Sequence, residues 1–104
     1  MSKLCKTDQE GLYIFFCPGC ECCHVVNTKA GNKSSSNMDW PVWQLTGTID
    51  NPTVRASIRV QAEFVCHSYI TDGKIEFLSD STHKLSGQTV ELPDFDNLDG
   101  KEVL

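Results

Sequence analysis

Four cysteines within seven residues, Cys17, Cys20, Cys22 and Cys23, constrain this chain more than any other feature. They follow directly on Leu12-Tyr13-Ile14-Phe15-Phe16, a short aromatic and apolar run that reads as a buried strand. Cys17-Pro18-Gly19-Cys20 has the C-x2-C spacing that turns two thiolates towards one ion from a single tight turn. Pro18 and Gly19 suit such a turn, which frees backbone N–H groups to bond the sulfurs. His24 opens the return strand His24-Val25-Val26-Asn27 and offers a third donor from the same loop. The fourth has to come from elsewhere, and Cys66 is the natural choice because it starts a second hairpin. A Cys3His site of Cys17, Cys20, His24 and Cys66 would tie two hairpins together around Zn2+. Zinc is preferred to iron because a single C-x2-C is present with a histidine beside it. Cys22 or Cys23 can substitute for His24 in this scheme, and His67 for Cys66. Cys5, near the terminus, is read as a bystander.

The rest of the chain reads as strands. Ser57-Ile58-Arg59-Val60-Gln61-Ala62-Glu63-Phe64-Val65 alternates, with Ile58, Val60, Ala62 and Phe64 expected inward. Cys66-His67-Ser68-Tyr69-Ile70 and Lys74-Ile75-Glu76-Phe77-Leu78 flank Thr71-Asp72-Gly73, and Asp-Gly between β-type runs marks a tight hairpin. Asp50-Asn51-Pro52-Thr53 reads as a turn, and Thr89-Val90-Glu91-Leu92 as a last strand closed by Pro93. Trp40-Pro41-Val42-Trp43-Gln44-Leu45 resumes the core after a polar loop, with Pro41 holding it to an edge or a strand start. The aromatics are expected to build core. One helical turn is expected from Asp80 to Leu85, capped by Asp80 or Ser81 and ended by Gly87. The fold class is therefore mainly β: a small antiparallel domain of hairpins stapled by a zinc site, with little helix. It is expected over residues 1–93, with 94–104 a loose acidic tail carrying Asp94, Asp96, Asp99 and Glu102.

Composition excludes several classes. The 104 residues suffice for one core. No apolar run approaches the ~18 residues of a membrane helix. Nine Lys and Arg against 14 Asp and Glu leave a formal charge of −5, which argues against a phosphate-tracking nucleic-acid binder. No apolar stretch follows the basic start Met1-Ser2-Lys3, so no secretory leader is expected and the chain is placed in a reducing cytoplasm. There, clustered cysteines bind metal more often than they form disulfides. A thioredoxin-like redox pair would want its motif opening a helix in a βαβ unit, and no such pattern is present.

His67 and His83 stand apart from the ligand set. Asp80, Ser81, Thr82, His83 and Gln88 crowd one connection. Folded back on the Cys66-His67 strand, it would bring two imidazoles and a carboxylate close to the metal. That group reads either as support for the ligands through hydrogen bonds or, were the protein an enzyme, as acid–base machinery of His67, His83 and Asp80. No convincing nucleophile stands out.

With Phe16-Cys17-Pro18-Gly19-Cys20 and His24, Asn51-Pro52-Thr53, Cys66-His67-Ser68-Tyr69 and Asp72-Gly73-Lys74-Ile75, the chain resembles a family of small phage and prophage proteins. The most specific block is Leu78-Ser79-Asp80-Ser81-Thr82-His83-Lys84-Leu85-Ser86-Gly87-Gln88-Thr89-Val90-Glu91-Leu92-Pro93. Automatic labels often call that family ammonia monooxygenase, a name for a membrane copper enzyme that has no counterpart in these residues. The family's aromatic and second proline after Pro-Thr are replaced here by Val54-Arg55-Ala56-Ser57. The resemblance implies a phage accessory protein working in a bacterial host cytoplasm with bound zinc. The expected role is a zinc-stabilised binding module docking onto a host or phage protein, as in counter-defence. The alternative is a small zinc-dependent hydrolase using His67 or His83 near the metal. No membrane partner and no nucleic acid are expected, and the oligomeric state is left open.

Overall fold

The computed structural model describes residues 2–34, 36–61 and 64–94. Every regular element among them is a strand. β1 (Cys5–Lys6), β2 (Leu12–Cys17) and β3 (Cys22–Asn27) form an antiparallel sheet in that order. β4 (Gln44–Gly47), β5 (Pro52–Gln61), β6 (Val65–Thr71), β7 (Lys74–Phe77) and β8 (Thr89–Glu91) form a second antiparallel meander. Among the described residues no helix is long and apolar enough to cross a membrane.

Both sheets contribute to one core. Leu4, Phe15, Cys17 and Val26 from the first sheet and its N-terminal lead-in pack with Val54, Ile58, Cys66, Ile70, Ile75, Phe77 and Leu92 from the second. Period-2 alternation sorts the faces of β6: Cys66, Ser68 and Ile70 are buried, while Val65, His67 and Tyr69 are half-exposed on the other side. That alternation puts one candidate metal ligand inside and the neighbouring histidine outside. At the β6–β7 turn Thr71 pairs Lys74 across a two-residue loop of Asp72 (φ 49°) and Gly73 (φ 78°). Two left-handed residues in succession are the type I′ geometry that matches strand twist.

β5 departs from the regular strand expected of it. Val54 opposes Ile70 and Ile58 opposes Ser68, so residues 55–57 face the single residue Tyr69. This bulge bends the strand and re-aims the side chains within it. β5 then ends at Gln61, and Phe64, expected inward, is exposed because the chain has already left the sheet. Ile58 is buried as expected and Val60 half-buried; residue 62 lies outside the described residues. The helical turn expected from Asp80 to Leu85 is instead a string of irregular turns. The sheet competes for this segment: Leu78 N–H, just before it, donates to His67 O (2.8 Å) and Thr82 N–H, within it, to Val65 O (2.9 Å). The strand expected to restart at Trp40 begins only at Gln44. Of the acidic tail, only Asp94 is described, 3.6 Å from Lys3 Nζ; residues 95–104 lie outside the described residues.

Candidate functional site

Two constellations of reactive side chains lie on opposite faces of β6. On the inner face, Cys17 ends β2, Cys20 sits in the following turn, His24 lies on β3 and Cys66 on β6. Their donor atoms all lie within 4.8 Å of one another. Cys17 Sγ and Cys66 Sγ are 3.8 Å apart, and Cys20 N–H points at Cys17 Sγ at 3.4 Å. A bonded disulfide holds its sulfurs at about 2.05 Å. A tetrahedral ion with ~2.3 Å metal–sulfur bonds spaces its sulfurs at about 3.8 Å, as here.

The electrostatics point the same way. The Cys17 thiol is lowered from 9.0 to about 4, first because Cys66 hydrogen-bonds to its sulfur, against the opposing effect of burial. Cys66 is pushed up, by that same bond to Cys17 and by burial. Burial and the charge on Cys17 raise Cys20 to about 11. One sulfur thus ionises at the expense of the others, a conflict that a bound cation removes because thiolate is its preferred ligand. His24 Nε2 is buried without a hydrogen-bond partner, an expensive arrangement for an imidazole that has no ion to meet. The donor set fits a divalent, sulfur-loving ion, and these are the four residues the sequence nominated. Cys22 is exposed, Cys23 half-buried, and neither belongs to the group; all six cysteines are unbridged.

On the outer face, Ser57, His67 and Asp80 line up in hydrogen-bonding order. His67 Nε2 is 3.0 Å from Ser57 Oγ, and His67 Nδ1 is 3.0 and 3.2 Å from the two Asp80 oxygens. The carboxylate can only accept, so Nδ1 carries the proton and Nε2 is left to accept from the serine hydroxyl. That tautomer readies the serine for nucleophilic attack.

Each member is positioned by the local fold. The β5 bulge presents Ser57 towards His67 although regular pairing sets Arg59 opposite that residue. Trp43 Nε1–H fixes the Ser57 carbonyl at 3.1 Å. The buried Ser81 hydroxyl accepts from His67 N–H (3.0 Å) and donates to His67 O (3.1 Å). Val65 N–H donates to Thr82 Oγ1 (2.8 Å). Residues 78–82 thereby zip alongside β6 and carry Asp80 to the imidazole.

Of the acid–base residues weighed from sequence, the structure brings His67 and Asp80 together and leaves His83 out. His83 is buried edge-on against Phe77 (centroids 4.5 Å) and accepts from Leu85 N–H through Nδ1 (3.2 Å). Its ring lies on Gly19: a Cβ there would come within 2.3 Å of His83 Cε1. The expected meeting of two imidazoles and a carboxylate therefore does not occur, because the 80–88 connection turns back on the metal loop after Asp80. Ser57 was missed altogether. No nucleophile motif surrounds it, and strand alternation assigns it only an outward face; the bulge that aims it depends on pairing with β6.

A family model described as "Bacterial ubiquitination-like system serine protease (BubE)" matches residues 2–78. No curated protein and no solved structure matches the chain significantly.

Proposed function

The chain belongs to the BubE family, and from that premise and the Ser57–His67–Asp80 alignment we propose that it is a serine peptidase of a bacterial ubiquitination-like system, built on a structural zinc site. The observation that carries this reading is the unbroken path Ser57 Oγ to His67 Nε2 at 3.0 Å and His67 Nδ1 to Asp80 Oδ2 at 3.0 Å. In the first step Ser57 Oγ bonds to the substrate carbonyl carbon while His67 Nε2 takes the hydroxyl proton. Asp80 stabilises the imidazolium that results. Collapse of the tetrahedral adduct breaks the scissile C–N bond, and His67 returns the proton to the departing amine. Water then repeats the sequence on the acyl-serine and releases the acid.

Cys17, Cys20, His24 and Cys66 hold the ion in this reading. Zinc is the ion best matched to three thiolates and one imidazole. Bound by four protein donors, it supplies cross-linking rather than a reactive water. That closed set weakens the zinc-hydrolase alternative, as does His67, which turns away from the ion towards Ser57. The binding-module reading rested on small size, acidic charge, a closed four-ligand site and the want of a nucleophile; the Ser57–His67–Asp80 alignment bears on the last of these.

The test is labelling by a fluorophosphonate, which reacts with activated serines and needs little substrate recognition. Intact mass and peptide mapping should place one adduct on Ser57. Loss of labelling is expected in Ser57→Ala and in His67→Ala with the fold retained. A folded, zinc-loaded protein that takes up no label would remove the peptidase reading.

A further inference from the structure

The sheet that carries Ser57 has an open edge beside it. β4 pairs with β5 only over Pro52–Arg55, and from Ile58 to Gln61 no strand lies on that side among the described residues. The direction of the free groups follows from β6. His67 directs both its N–H and its C=O to residues 78–81, away from β5. The Arg59–His67 pair is therefore of the non-hydrogen-bonded kind, and Arg59 N–H and C=O point outwards, to the open edge.

A cleft of about 330 Å3 runs along this edge. Val25 of β3, Ile58 and Val60 of β5, and Trp40, Pro41 and Trp43 ahead of β4 are among its lining residues. β3 is itself the last strand of its sheet, so two strand edges, that of β3 and the open stretch of β5, contribute to the lining of the cleft. The cleft adjoins the nucleophile's residue: Ile58 follows Ser57 in the chain, and Trp43, which lines the cleft, holds the Ser57 carbonyl. Trp40 Nε1–H is buried there without an acceptor.

The charges beside Ser57 divide unequally. Arg55 is occupied: it donates to Val54 O, Ile70 O and Thr71 Oγ1 and lies over the Tyr69 ring. Arg59, exposed at the cleft, makes no side-chain hydrogen bond or ion pair among the described residues. A guanidinium beside an apolar slot is suited to a carboxylate, which it can hold bidentately.

Resting on the peptidase reading, we propose that the substrate is an extended peptide segment that adds to the Ile58–Gln61 edge of β5, placing an apolar side chain among Trp40, Trp43 and Val60 and a carboxylate on Arg59. An unpaired edge supplies main-chain hydrogen bonds to any extended chain, and the flanking slot and charge supply selection. A bound main-chain carbonyl also gives Trp40 Nε1–H its acceptor. Folded surface helices are poor substrates on this account, because their backbone groups are already paired.

The test is cleavage of a mixed-sequence peptide library by zinc-loaded protein, read by mass spectrometry, beside fluorophosphonate labelling of the same preparation. Cleaved peptides should combine an apolar residue with an Asp or Glu. Replacing that acid by its amide should lower kcat/KM about tenfold or more, chiefly through KM. Arg59→Gln should collapse the acid-to-amide preference towards one. Methylating single backbone nitrogens of the best peptide should abolish cleavage at alternate positions, the periodicity of a paired strand. Equal cleavage of acid and amide peptides, a flat N-methyl series, or labelling of Ser57 with no peptide cleaved would each overturn this proposal and leave the nucleophile assignment standing. Failure of Ser57 to label would overturn both.

Discussion

On the peptidase reading, Asp80→Asn should separate catalysis from folding. The Asp80 side chain is 57% exposed and its histidine partner 23%. An ion pair that open is screened by water and contributes on the order of 0–1 kcal/mol to stability. For a domain of this size such a loss lowers Tm by a few degrees, about 4–8 °C per kcal/mol. The chemical step is affected far more. Asn presents an N–H where a carboxylate oxygen accepted, so His67 Nδ1 loses its reason to hold the proton and the imidazolium loses its counter-charge. In a buried triad that costs about 10^4 in kcat; with Asp80 this exposed, water takes part of the load and we expect about 10^2–10^4. At 1.36 kcal/mol per decade this is about 2.7–5.4 kcal/mol of transition-state stabilisation, several times the folding effect. The assay is the fluorophosphonate labelling rate of Ser57 beside a thermal melt on the same sample. A labelling rate within threefold of wild type, or one that falls only as far as the folded fraction falls, would refute the assignment of Asp80.

Chelation should unfold the protein and abolish Ser57 labelling together. Apparent structural-zinc free energies of about 10–16 kcal/mol rival the whole stability of a small domain, and circular dichroism with re-addition of zinc checks this. The Cys17 thiol is held at about 4 in the fold against 9.0 unperturbed. Its depressed value contributes stability that is fully present above the unfolded thiol range and eroded as pH falls towards about 4. Protonation of the thiols competes with metal binding, so acidification should release the ion and unfold the domain together, read by melts with a zinc-sensitive dye. Gly19→Ala should weaken metal retention and cost about 1–3 kcal/mol, because its Cβ would overlap the His83 ring. Lys3→Met should cost about 1.5–3 kcal/mol without touching the triad, since Lys3 Nζ caps Leu92 O at 2.7 Å and bonds Glu91 at 3.3 Å; melts and labelling rates together separate the two effects.

The β class, the hairpins and the grouping of Cys17, Cys20 and His24 were legible in the sequence because each is a local signal. Apolar runs of strand length, Asp72-Gly73 between them, and C-x2-C on a tight turn all express preferences of a few adjacent residues. Cys66 was reachable too, as the natural fourth donor at the start of the other hairpin, with His67 as its alternative; the structure places Cys66 in the cluster. Asp80 and His67 came into view as polar residues in one crowded connection, but their role did not. His83 shows why: Asp80 lies thirteen positions after His67 and His83 sixteen, and nothing in those spacings tells which of the two folds back.

What the sequence by itself determined is the scaffold: a sulfur-rich loop and alternating strands that leave few ways to bury Phe15, Ile70 and Phe77. Only the tertiary structure brought Ser57, His67 and Asp80 into one row. Ser57 sits ten residues before His67 on a strand whose plain alternation aims it nowhere in particular. The register slip against Tyr69 aims it at the imidazole, and the Ser81 and Thr82 hydroxyls pull residues 78–82 onto β6 to complete the row. Register and bulges arise from pairing between distant strands, where one displaced residue changes which side chains meet. No short window of residues carries that information.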